Sequence, residues 1–357
     1  MKAPTVLNMK SSKVKEHLYK CLLGGVVPFL IGGTGVGKSA IVRGLAEKLA
    51  DTKEVVNKID PNNKEFGYID FRLSLYESVD LGGLPYINEK NEQKRAFLGN
   101  LPVSGHGVLF FDEYAQSHPS VQSIVAQLID ERKLGEYELP DGWSVVCASN
   151  RASDRASSSK LPSQVISRLS LIDFDVDFND WYDWALANDV NSTVLGYLSF
   201  QPHALEQFDA KVIAPQPCPR QWVNLSKILN AVGIDDSVQS IAKSLVGEEQ
   251  SYEFHNFCVL SKDVPNLTDI VNGKDVEVVD STGLCFATGT ALAERVTSAD
   301  SSDVEDFFEN ALAYIKQFPT PEFAIFFVRQ CKEKRSEVIN TSAYAQFKID
   351  NAEIEFL

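Results

Sequence analysis

The chain has 357 residues, 44% of them hydrophobic and 23% charged, enough for two or three compact domains with real cores. It contains no run of eighteen apolar residues, and Met1-Lys2-Ala3-Pro4 lacks the apolar core of a secretion signal, so the expectation is a cytoplasmic protein with no membrane span. A net charge of −15 repels polyanions and disfavours a nucleic-acid partner; the basic first fifty residues read as a solvated face or a subunit contact.

In chain order, residues 10–25 read as a helix stopped at Gly24-Gly25, and Val26 to Ile31 as an apolar strand. Gly32, Gly33, Thr34, Gly35, Val36, Gly37, Lys38 and Ser39 then fit the G-x-x-x-x-G-K-[ST] phosphate loop. Ser39 and Ala40 open a helix to Leu49, with Ile41, Leu45 and Leu49 on one apolar face. Further strands are expected at 67–73, 108–111, 143–148 and 171–174, with a helix at 119–131 carrying Val121, Val125 and Leu128. Strands alternating with helices argue for a parallel sheet covered on both faces. From about residue 180 the pattern turns helical, at 181–198, 220–232, 237–260, 304–318 and 322–334. Thr288-Gly289-Thr290 reads as a loop or a helix start. The six cysteines are scattered without a C-x-x-C pair, so they read as reduced thiols, and no structural zinc is expected.

The chemistry begins at the phosphate loop. Its glycines let several N–H groups converge on one anion, and the helix N-terminus adds partial positive charge. Lys38 would reach the β- and γ-phosphates, and Ser39 would complete a Mg²⁺ shell. The motif therefore implies a nucleoside triphosphate, without choosing adenine over guanine. Val108-Leu109-Phe110-Phe111 delivers Asp112 and Glu113 at a strand end, Asp112 suited to orient Mg²⁺ and Glu113 to polarise a water. Asn150 ends the next strand, where it can meet the γ-phosphate and the attacking water, or simply form a turn. Leu161 to Leu169 reads as a short helix carrying Arg168, a candidate arginine finger for a neighbouring subunit, with Arg151 and Arg155 as weaker candidates. Cys218-Pro219-Arg220 places Arg220 at a helix start.

These five elements, in this order and spacing, resemble AAA+ ATPases, and more narrowly the MoxR branch and its dynein-related relatives, bacterial or phage-borne. Asp70 to Ser74, Val79 to Pro85 and Asp130 to Trp143 add to the likeness, which covers residues 10–260 well and the rest loosely. The resemblance implies a P-loop AAA+ α/β core (1–178), an all-helical lid (179–260) and a mostly helical C-terminal extension (261–357). It implies an ATP- and Mg²⁺-dependent homo-oligomer, often a hexameric ring, with Asn150 as first sensor, Arg168 as trans finger and Arg220 as second sensor. Inserts facing the ring centre would fall at Leu84–Phe97 and Leu134–Trp143, making Tyr86, Lys94, Arg95 and Tyr137 candidate contacts with a protein client. Similar proteins often act beside a von Willebrand factor A partner. The expected function is client remodelling driven by ATP hydrolysis. A nucleic-acid motor and a non-catalytic nucleotide-gated scaffold or filament are the alternatives.

Overall fold

The computed structural model describes residues 7–97, 99–151 and 166–352. Arg155 and most of the expected 161–169 helix lie outside them. The chain divides into two compact units, 1–177 and 178–357.

The first unit is built on a sheet of seven parallel strands: β1 (Leu7–Lys10), β2 (Val27–Gly32), β3 (Glu54–Val56), β4 (Glu65–Arg72), β7 (Gly107–Asp112), β10 (Trp143–Asn150) and β11 (Leu169–Asp175). Their order across the sheet is β1-β11-β2-β10-β7-β4-β3. Side chains alternate across the strands, so one apolar run supplies two cores. Val108 and Phe110 pack with Val42, Leu45 and Ala46 of α2 (Lys38–Ala50) and with Val14 and Leu18 of α1 (Ser11–Leu23). Leu109 and Phe111 point the other way, onto Val121, Val125 and Leu128 of a helix over Pro119–Glu131. The result is a three-layer α/β/α sandwich.

The sequence reading misplaced the centre of the α2 face by one residue. Val42, Leu45, Ala46 and Ala50 are buried, whereas Ile41 and Leu49 are only half-buried at its margin. β1 and β3 had no sequence counterpart. They are edge strands of four and three residues, too short to show alternation.

Trp143 opens β10 at the edge of the sheet opposite the phosphate loop. Its indole covers Gly67 and Gly107, facing residues of β4 and β7, and its Nε1 donates to the Ser104 carbonyl at 2.7 Å. A Cβ on either glycine would collide with the ring.

The second unit is helical. Its helices are α3 (Phe178–Ala187), α4 (Ser192–Phe200), α5 (Pro219–Val232), α6 (Val238–Val246), α7 (Glu248–Leu260), α8 (Leu267–Val271), α9 (Thr282–Thr297), α10 (Val304–Ile315), α11 (Glu322–Lys334) and α12 (Ser342–Asp350). Both the expected lid and the expected extension lie within this unit, and α9 packs on both α4 and α11. The run expected as one helix over 181–198 is broken at 188–191, where Asp189 is left-handed (φ 52°) and Asn191 caps α4 through Thr193 N–H. The 237–260 run breaks at Gly247 (φ 88°). Thr288-Gly289-Thr290 is neither loop nor helix start. It lies inside α9, where small residues permit close packing; all three are buried. The cysteines are all free thiols. Among the described residues, no helix is long and apolar enough to cross a membrane.

Candidate nucleotide site

The strands that end together assemble the site. β2 stops at Gly32 beside Asn150, the last residue of β10. β7 stops at Asp112 beside Arg72, the last residue of β4. All four residues therefore reach the carboxyl edge of the sheet, where open α/β folds bind ligands.

From Gly32 the chain turns through Gly35 (φ 77°) and Gly37 (φ 104°), values that side chains resist. Gly37 is the N-cap of α2 and gives its first-turn N–H groups no side-chain acceptor. A helix start of that kind is suited to an anion. Lys38 is 7% exposed, and its Nζ donates to the carbonyls of Gly32 (3.0 Å) and Gly33 (2.7 Å) and to Asn150 Oδ1 (2.7 Å). Ser39 Oγ donates to Asp112 Oδ2 at 3.0 Å, while Asp112 Oδ1 accepts the Glu113 N–H at 2.8 Å. The loop, the strand-end acid and the strand-end amide are thus one connected cluster.

Glu113 has left-handed backbone angles (φ 57°, ψ 34°), a conformation that costs a residue with a Cβ roughly 1 kcal/mol. Its Oε2 accepts a hydrogen bond from the Ser74 hydroxyl, which follows β4 in a short 3₁₀ turn. Ser74 was not among the sequence candidates. It is 39 residues away, and only the pairing of β4 with β7 brings it near. Asp70, exposed on β4, has its carboxyl held above the usual range by partial desolvation and then by the charges of Asp112 and Glu113, with Arg72 opposing. Among the described residues there is no group of three His, Cys, Asp or Glu side chains able to hold a metal. Two oxygens 3.0 Å apart, Ser39 Oγ and Asp112 Oδ2, do fit Mg²⁺, which takes one or two protein ligands and lets phosphates and water supply the rest.

The arginines separate. Arg151 donates to Asp173 (2.9 Å), to the Phe174 carbonyl (3.1 Å) and to Asp175, fastening β10 to β11, so it is engaged within its own unit. Arg168 is exposed, with Nε 2.8 Å from Asp130 Oδ1 on the 119–131 helix; its hydrogen bond holds the Asp130 carboxyl below its usual range. Arg220 is exposed at the second position of α5, after Pro219.

Two hairpins stand where inserts were expected: β5 (Leu84–Ile87) with β6 (Gln93–Ala96), and β8 (Lys133–Leu134) with β9 (Tyr137–Glu138). Lys94 pairs with Glu136 between them, and Phe97 packs on Tyr137. Arg95 donates to the carbonyls of Gly82 (2.9 Å) and Gly83 (3.2 Å), and Tyr137 Oη donates to the Pro102 carbonyl at 2.7 Å. These two side chains brace the hairpins. Leu84, Tyr86 and Ile87 are the large apolar side chains left exposed on β5, at 48%, 49% and 62%.

Residues 28–169 match the family model described as AAA domain (dynein-related subfamily). That stretch is therefore similar to an AAA domain. Two curated relatives are chaperone proteins ClpB. The one from Porphyromonas gingivalis is 30% identical over 106 residues, covering 29% of this chain and 11% of ClpB. The one from Aquifex aeolicus is 40% identical over 86 residues, covering 24% and 8%. The match thus spans about a tenth of those relatives' length. Two crystal structures of NtrX from Brucella abortus also resemble the chain. The ADP complex has a TM-score of 0.42 at 10% identity, covering 96% of this chain and 68% of NtrX. The other has a TM-score of 0.38 at 10% identity, covering 63% and 51%.

Proposed function

We propose that the AAA domain hydrolyses ATP with Mg²⁺, as the engine of a homo-oligomeric, MoxR-like ring that remodels a protein client or partner complex. One observation carries the reading: at one sheet edge the adjacent residues Lys38 and Ser39 hydrogen-bond directly to Asn150 and Asp112, which lie 112 and 73 residues away.

Gly32 to Ala40 would wrap the phosphates, with the α2 N–H groups as donors. Lys38 Nζ, now on neutral oxygens, would transfer its hydrogen bonds to the β- and γ-phosphates, releasing Asn150 to face the γ-phosphate. Ser39 and Asp112 would hold Mg²⁺, which supplies charge neutralisation for phosphoryl transfer. Glu113 would accept a proton from the attacking water once Ser74 lets go of its carboxylate. Arg168 would serve a neighbouring protomer, exchanging Asp130 for phosphate, and Arg220 would report nucleotide state to the helices. Tyr86 and Ile87, on the β5–β6 tip, are the side chains best placed to touch a client.

The test uses two variants of the full chain. Lys38→Ala is expected to abolish ATP binding. Glu113→Gln is expected to bind ATP and accumulate as an ATP-bound oligomer, seen by sedimentation and by chromatography of retained nucleotide. Turnover by Glu113→Gln at the wild-type rate would remove Glu113 from this role.

A further inference from the structure

Three residues beyond Glu113 stands Gln116, at the end of the 3₁₀ turn Tyr114–Gln116. No motif marks it, yet its side chain reaches both halves of the candidate site. With the amide oriented so that each atom meets a complementary partner, its nitrogen is 3.0 Å from Ser149 Oγ and 3.3 Å from the Glu113 carbonyl oxygen. Its oxygen is 3.2 Å from the Asn150 N–H. The Glu113 carbonyl also accepts the Gln116 backbone N–H at 3.1 Å. Ser149, only 2% exposed, completes the set: its hydroxyl accepts the Ala115 N–H at 3.3 Å and donates to the Asn150 carbonyl at 3.2 Å.

The arrangement has a mechanical meaning. Glu113 sits in a left-handed conformation that it would leave if unconstrained, and Asn150 is a strand end held on one side by Gly32. Gln116 holds the carbonyl of the first and the amide of the second with one side chain. We propose that Gln116 is a positioning residue, which fixes the distance between the water-polarising carboxylate of Glu113 and the phosphate-facing amide of Asn150. This rests on the ATPase reading above. A one-ångström error in such spacing is enough to lower a rate by up to about a hundredfold.

Gln116→Met tests it, because Met matches the shape and offers none of the three hydrogen bonds. Steady-state ATP turnover, fluorescent-nucleotide affinity and the thermal midpoint are compared for wild type, Gln116→Met, Ser149→Ala and the double variant. The expected result is a kcat about tenfold or more below wild type, with KM and nucleotide affinity within about twofold. The double variant should lose little more than the larger single loss, because both remove the same linkage. Should Gln116→Met fail to fold, Gln116→Asn, which keeps the amide but is one methylene too short, is read by the same kcat and KM split. A working wild type whose variant keeps its kcat, or loses activity only through a raised KM, overturns the proposal alone. A wild type with no turnover removes the ATPase reading, and this positioning role with it.

Discussion

Ser74 and Glu113 form the contact at residue scale on which the resting state turns. A serine hydroxyl bound to the carboxylate occupies the oxygen that, in the proposed ATPase, would take a proton from water. Ser74→Ala should therefore raise basal ATP turnover by roughly two- to tenfold, the net worth of one hydrogen bond, with nucleotide affinity unchanged. A steady-state assay without client checks this, and a slower variant would mean that the serine positions the acid instead. Arg168 makes the second residue-scale case. Its partner Asp130 is on the protomer's own surface, so the guanidinium is exposed and its present ion pair is weakly held. Arg168→Ala should bind ATP normally and hydrolyse it about a thousandfold more slowly. Mixing it with Lys38→Ala subunits should restore part of the activity, because each defect then lies in a different half of a shared site; no restoration would place the finger elsewhere. Lys38, Ser39, Asp112 and Asn150 were legible from the sequence because each stands at the end of an apolar run or inside a spaced motif. Ser74 and Gln116 were not. Their partners come from strand register and from a turn, and neither leaves a periodic trace.

At the scale of elements, the five long strands were readable as apolar, β-branched runs, and the helix over 119–131 as a regular stripe. What failed was punctuation. Helical periodicity continues through Asn188 to Asn191 and through Gly247, since the residues on both sides are apolar at similar spacing, so two breaks were passed over. Composition also misled at Thr288-Gly289-Thr290, where turn-like residues serve tight helix contact. The sheet itself depends on a close approach that only glycine allows. Gly107 lies beneath the Trp143 ring, and a Cβ there would also meet the Gly67 carbonyl oxygen. Gly107→Ala should destabilise the protein by about 3 kcal/mol, because strand backbones cannot yield as a flexible side chain does. Urea unfolding followed by circular dichroism measures it, and a loss below about 1 kcal/mol would show that the indole simply tilts aside.

Charge is distributed unevenly over the whole molecule. Residues 178–357 contain 27 Asp and Glu against 13 Lys and Arg, whereas residues 1–177 contain 22 against 21. Nearly all the net negative charge thus belongs to the helical unit. A motor that tracked along DNA would have to hold a polyanion against that field. ATP turnover is accordingly expected to be unchanged, within about twofold, by single- or double-stranded DNA at low salt, where electrostatic attraction is strongest. A DNA-stimulated rate that falls steeply with added salt would reverse the choice between a protein client and a nucleic-acid track.

The indole laid over the paired glycines has one more consequence. Trp143 is the only tryptophan in the α/β unit, while Trp181, Trp184 and Trp222 all belong to the helices. Replacing those three leaves a lone buried tryptophan within the sheet. Its emission colour then follows the integrity of the α/β half alone, giving that half an optical label without added dye.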